Sequence, residues 1–115
     1  MNTEGHHLIL DIWMKENLPF RQLKNLLATA LMKSGQLILG FEEWEFYPRG
    51  ESGIFLIAMS HASIHTYPEH KYITVDVYSC DENFSETKFE ELFVSGLNVD
   101  HVQRKLLSRG IKCQS

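Results

Sequence analysis

Hydrophobic residues recur along this chain with two periods, and the changes between them mark out elements. HHLILDIWM, residues 6–14, reads as a strand. From Pro19 to Ser34 the spacing lengthens to three and four: Phe20, Leu23, Leu26, Leu27, Ala30 and Leu31 form one stripe of a helix, and Gly35 is placed to end it. QLILGFEEWEFYP, residues 36–48, reads as a second strand, with Pro48, Gly50 and Gly53 marking a turn. Ile54–His61 reads as a third. Lys71–Tyr78 reads as a fourth, with Ile73, Val75 and Val77 alternating against Tyr72, Thr74, Asp76 and Tyr78. Glu86–Val94 reads as a second helix closed by Gly96, and Val99–Leu107 as a last strand.

The resulting order is β-α-β-β-β-α-β. Hairpin connections in the middle predict an α+β fold with a mainly antiparallel sheet and both helices on one face. The other face then lacks cover, and a second copy of the chain is the expected partner, giving a homodimer. No repeat, low-complexity tract or linker divides residues 1–115, so one domain is expected.

Composition narrows the function classes. Hydrophobic residues make up 43% and charged residues 23%, as in ordinary globular proteins. The net charge of −4 and pI near 5.8 argue against a nucleic-acid surface, which needs a basic patch. The longest apolar run, Ile54–Met59, is far too short to cross a bilayer, and MNTEGHHLILD lacks the basic-then-apolar form of an export signal. A cytoplasmic protein is expected, with Cys80 and Cys113 as free thiols.

Candidate chemistry gathers in MSHASIHTYPEHKYITVDVYSC, residues 59–80. Ser52 and Ser60 are eight apart and share a face of one regular strand. Ser60 and His65 are five apart and point oppositely unless the chain bends between them, which Ala62, Ser63 and Pro68 would permit. Cys80 follows on the parity of Asp76 and Tyr78. A hairpin of this form brings Ser52, Ser60, His65 and Cys80 together. His61 and His65 have the spacing of a helical zinc pair, but the segment reads as strand and turn. No C-x-x-C or carboxylate set completes a site, so no metal is expected. His6 and His7 face opposite sides of a strand. Without a G-x-S-x-G elbow the signal for a serine hydrolase is weak.

GHHLILD near the start, FYPRGESG at 46–53, SHASIHTYPE at 60–69 and VDVYSC at 75–80 together resemble the small bacterial and archaeal type of S-adenosylmethionine decarboxylase proenzyme, the pyruvoyl-dependent enzyme of polyamine (spermidine) synthesis. That resemblance implies a two-layer α/β sandwich that dimerises. It also implies self-cleavage between Met59 and Ser60 into residues 1–59 and 60–115, with Ser60 converted to a pyruvoyl group that forms a Schiff base with the substrate amine. His65 and Ser52 match residues that assist the processing, and Cys80 matches the residue that returns a proton to the substrate α-carbon. Phe46 matches an aromatic that stacks on the adenine ring, and Tyr67 is a further substrate-binding candidate that keeps an aromatic surface. Glu69 matches a carboxylate on the ribose hydroxyls.

Four positions depart from the family pattern. Met59 stands where glutamate is usual, although the acyl shift uses only its backbone carbonyl. Tyr67 stands where tryptophan is usual. Arg49 and Glu51 bring charges into a loop that is usually uncharged, leaving open a smaller polar substrate such as ornithine or arginine. A further alternative is an uncut, non-catalytic homologue that binds an active partner.

Overall fold

The computed structural model describes residues 3–112; Cys113 lies outside them. The elements are β1 (Gly5–Met14), α1 (Phe20–Lys33), β2 (Ile38–Glu45), β3 (Glu51–Ile57), β4 (Ser60–Tyr67), a single 3-10 turn at Pro68–His70, β5 (Tyr72–Ser79), α2 (Glu86–Ser95) and β6 (Val99–Arg109). All six strands form one sheet in the order β2-β3-β4-β5-β1-β6, and every neighbouring pair is antiparallel.

The sequence reading held the α+β class and the antiparallel sheet but merged two strands. Ile54–His61 is not one strand. The chain reverses at Ala58–Met59, so β3 ends at Ile57 and β4 begins at Ser60. No Gly, Pro, Asn or Asp punctuates this turn, so the apolar pattern runs through it unbroken. Ser52 and Ser60 therefore sit on different strands. The bend sought between Ser60 and His65 does not exist either, since β4 runs unbroken from Ser60 to Tyr67.

Alternation assigns each strand residue to a face. Leu8, Leu10, Ile12 and Met14 of β1, Ala62 and Ile64 of β4, and Ile73, Val75 and Val77 of β5 are buried on one side. There they meet Leu23, Leu27, Ala30 and Leu31 of α1 and Phe89 and Phe93 of α2 in a single core. Each Leu, Ile, Val, Met or Phe among them contributes roughly 1.5–3 kcal/mol through removal from water. The helix ends are locally specified. Ser85 caps α2 by accepting from the Lys88 N–H at 3.2 Å. Gly35 follows α1 with φ of 108°, and a Cβ there would stand 2.7 Å from the Asn83 carbonyl oxygen. Both helices lie on the core side, and neither covers the opposite face of the sheet.

Candidate active site

The uncovered face is a polar and aromatic surface built in rows across the strands. Pairing of β3 with β4 sets Ser52 opposite His65, and Ser52 Oγ and His65 Nδ1 share a 2.6 Å hydrogen bond. In the next row Asp76 accepts from the Ser63 hydroxyl on β4 and from His7 Nε2–H on β1 at 2.7 Å. That bond fixes which His7 nitrogen carries its proton. The phenol of Tyr72 donates to Asp11 at 2.5 Å. Burial first, then this bond and the negative charge of Asp11, push the Tyr72 pKa up to about 12. Tyr67, Tyr72 and Trp13 form a stacked series, with ring centroids 5.3 and 4.9 Å apart, and His101 continues it at 5.6 Å.

Cys80 follows β5 on the parity the alternation predicts, and its thiol donates to the Tyr78 hydroxyl at 3.6 Å. The contact with Cys80 is the largest cause that raises the Tyr78 phenol pKa; burial adds to it, while the Arg109 guanidinium, 4.4 Å from the ring centre, acts in the opposite sense. Beside Cys80 lies a hollow bounded by Gly5, His6 and Ser79. His6 and His7 diverge as expected. His6 turns to the helix side, where Nδ1–H donates to Glu86 at 2.8 Å, and His7 faces outward.

Ser60 sits apart from the Ser52–His65 pair. It opens β4 directly after the two-residue turn, pairs with Ile57 on one side and Ser79 on the other, and so stands next to Cys80. Its alternation is that of Ala62 and Ile64, so its hydroxyl points to the helix side. Oγ is buried there with no hydrogen-bond partner. The preceding residue, Met59, is 44% exposed and has φ of 70°, a region that non-glycine residues enter at a cost of about 1–2 kcal/mol.

The sequence-derived set is therefore divided between two ends of the sheet. Ser60 and Cys80 share one end. Ser52 and His65 lie near the other, five residues or roughly 16 Å along β4 from Ser60. Phe46 (49% exposed), Tyr67 and Glu69 belong to that second end: Phe46 N–H donates to Gly50 O at 2.8 Å in the β2–β3 connection, and Glu69 is exposed on the 3-10 turn after Tyr67. Of the loop charges, Arg49 is exposed, and Glu51 spends its carboxylate on the Thr66 hydroxyl at 2.5 Å.

Sequence reasoning missed the His7–Asp76–Ser63 row and the Asp11–Tyr72 pair. The available signal was aspartate inside strands, where it is depleted, on the parity opposite to Val75 and Leu10. Among the described residues no three His, Cys, Asp or Glu side chains converge on a point suited to a metal ion, and no helix is long and apolar enough to cross a membrane.

Comparison with known proteins gives a consistent result. A sequence profile of S-adenosylmethionine decarboxylase matches residues 6–110. The S-adenosylmethionine decarboxylase proenzyme of Hydrogenobaculum sp. (strain Y04AAS1) is 35% identical over 113 residues, covering 95% of this chain and 84% of the relative. Proenzyme 2 of Bacillus cereus (strain ATCC 14579) is 33% identical over 115 residues, covering 96% and 92%. The crystal structure of the adenosylmethionine decarboxylase from Aquifex aeolicus VF5 superposes with a TM-score of 0.83 at 28% identity, over all of this chain and 98% of that one. With the profile spanning nearly its whole length and relatives above 30% identity, this chain belongs to the S-adenosylmethionine decarboxylase family, a family of pyruvoyl-dependent carboxy-lyases.

Proposed function

We propose that the chain is a proenzyme that cuts itself between Met59 and Ser60 and then decarboxylates S-adenosylmethionine. The observation that carries this reading is the Ser60 hydroxyl, buried and unbonded directly after a left-handed Met59. A buried hydroxyl without a partner is costly, and here it adjoins the carbonyl it would attack.

In the first step Ser60 Oγ bonds to the Met59 carbonyl carbon. The C–N bond breaks, the nitrogen takes up the proton, and an ester replaces the peptide. In the second, the Ser60 α-proton is removed and the Cβ–Oγ bond breaks, releasing residues 1–59 with a terminal carboxylate and leaving dehydroalanine. Water then replaces the nitrogen, which departs as ammonia, and a pyruvoyl group heads residues 60–115. That ketone supplies the electron sink that no ordinary side chain offers for loss of carbon dioxide beside an amine.

The chain's own residues do the rest. His65, oriented by Ser52, moves the proton in the elimination. Cys80, adjoining Ser79 opposite Ser60, returns a proton to the substrate α-carbon. Phe46 and Tyr67 offer aromatic faces to adenine, and Glu69 offers a carboxylate to the ribose hydroxyls. Because these groups lie at the far end of β4 from Ser60, a second copy packed on the uncovered face would complete each site at the end where β4 begins: Ser60, whose hydroxyl is turned to the helix side before cleavage, and Cys80 from one protomer, Ser52, His65, Phe46 and Glu69 from its partner. Ornithine and arginine gain nothing from a nucleoside-binding end, and Glu51 is already engaged by Thr66.

The test is the intact mass of freshly purified protein under reducing, denaturing conditions. Fragments of residues 1–59 and pyruvoyl-headed 60–115, with carbon dioxide released from S-adenosylmethionine and not from ornithine or arginine, are expected. A single uncut chain would favour a non-catalytic homologue instead.

A further inference from the structure

Among the described residues only three buried side-chain atoms lack a hydrogen-bond partner: Ser60 Oγ and both amide atoms of Gln36. Gln36 is 4% exposed, yet its Nε2 and Oε1 are bonded to nothing in the protein. An amide buried in this state disfavours folding. Such violations of local rules are expected where a site needs them.

The two orphans lie at the same end of the molecule. The Ala58 N–H donates to the Leu37 carbonyl at 2.9 Å, which places the residue after Gln36 beside the scissile turn. Ile38 pairs with Ile57, and Ile57 pairs with Ser60. Exposure alternates here, with Leu37 at 64% and Leu39 at 59% facing solvent, so Gln36 and Ile38 turn to the helix side, the side that buries Ser60 Oγ. Two other buried polar residues stand at this end, Ser34 and Ser79, and both are satisfied: Ser34 Oγ donates to the Ala30 carbonyl at 2.6 Å, and Ser79 Oγ accepts from the Asp81 N–H at 3.1 Å. Gln36 and Ser60 are left with complementary needs.

We infer that Gln36 is a catalytic residue of the self-cleavage, an inference that rests on the reading of the chain as a self-cutting proenzyme. A primary amide carries one acceptor and two donors. The two groups do not touch at rest; for the attack the amide swings so that its Oε1 accepts from the Ser60 hydroxyl and aims it at the Met59 carbonyl carbon. Its Nε2 donates to the Met59 carbonyl oxygen as that oxygen gains negative charge, then releases it when the carbonyl re-forms as the ester. No proton is consumed by the amide, and none is required of it. Met59 brings no donor of its own to the turn, so the neutral amide of Gln36 fills that need.

The measurement is the rate of chain cleavage in Gln36→Met and Gln36→Leu, two apolar fillers, beside their melting temperatures. Expected is a loss of about a hundredfold in the cleavage rate, the effect of removing one such donor, with a melting temperature at or above that of the parent chain. Hydroxylamine, which cuts esters, locates the step. In His65→Ala, where elimination is slowed, it should split the chain at Met59–Ser60. Adding Gln36→Met to that variant should abolish the splitting, since no ester forms. A filler variant that melts no lower and is cut at the parent rate overturns the inference while leaving self-cleavage intact. A drop in melting temperature in both fillers overturns it too, because the amide would then be serving the fold. A parent chain that never cuts itself overturns the underlying reading as well.

Discussion

A hydroxyl sealed from water and bonded to nothing is a liability for folding, and Ser60 keeps one at the first position of β4. Replacing Ser60 by alanine removes the unsatisfied group at little change in volume. Ser60→Ala should therefore abolish cleavage and at the same time raise stability, by about 1 kcal/mol, as read by chemical denaturation of the uncut chain. A serine there for packing or surface polarity would give no gain. Tyr72 carries a second residue-scale expectation. Its folded pKa of about 12 lies above its reference value of 10.0, so the neutral phenol is the form that the fold favours. The stability it contributes is complete below pH 10 and is lost as pH rises towards 12. Denaturation between these pH values should show a smaller fall in Tyr72→Phe than in the parent chain, and a phenolate absorbance step near pH 12 should vanish with it. Ser52, Ser60, His65 and Cys80 could be singled out as candidates in the sequence because they match a family pattern at fixed spacing. Their geometry was not, because nothing local states that Ser60 turns inward while His65 turns outward.

Helices and most strands were legible because each obeys one period. The α1 stripe of Leu23, Leu27, Ala30 and Leu31 and the alternation of β5 are both unambiguous. The turn at Ala58–Met59 was illegible because neither of its residues carries a turn signal. A two-residue turn whose second position has positive φ normally takes glycine or asparagine, and methionine stands there instead. The missing punctuation and the stored strain are thus one feature. Methionine in that conformation costs about 1–2 kcal/mol, and attack at its carbonyl offers a route to release it. Met59→Gly should relieve the strain in advance and slow self-cleavage by up to about tenfold, the factor that 1.4 kcal/mol represents. The comparison is between cleavage time courses of freshly refolded Met59→Gly and parent chains. Equal rates would show that the turn's conformation contributes nothing to the reaction.

At the scale of the whole molecule the sheet has one covered face and one open one. Two helices are countable in the amino-acid pattern, and two helices cover only one face of a sheet, so the need for a second cover follows from the element count. What belongs on the open face does not follow from it, because Trp44, Ile54 and Leu56 share that face with the Ser52–His65 and His7–Asp76 bonds only after the strands are ordered and registered. Trp44 is 69% exposed and Leu56 57%, an apolar margin beside a polar centre, as suits a self-complementary contact. On the proposed self-cleavage, the roughly 16 Å between Ser60 and His65 along one strand would make a partner chemically necessary as well. Mixing two defective chains decides this. In a mixed dimer of Ser60→Ala with His65→Ala, one composite site combines both defects. The other joins the intact Ser60 of the His65→Ala chain to the intact His65 of the Ser60→Ala chain. The His65→Ala chain should therefore be cut in the mixture and not alone, giving its own residues 1–59 and 60–115 by mass, while the Ser60→Ala chain stays whole. If His65 served the Ser60 of its own chain, neither chain would be cut in any mixture, and the open face would have to serve some purpose other than completing the site.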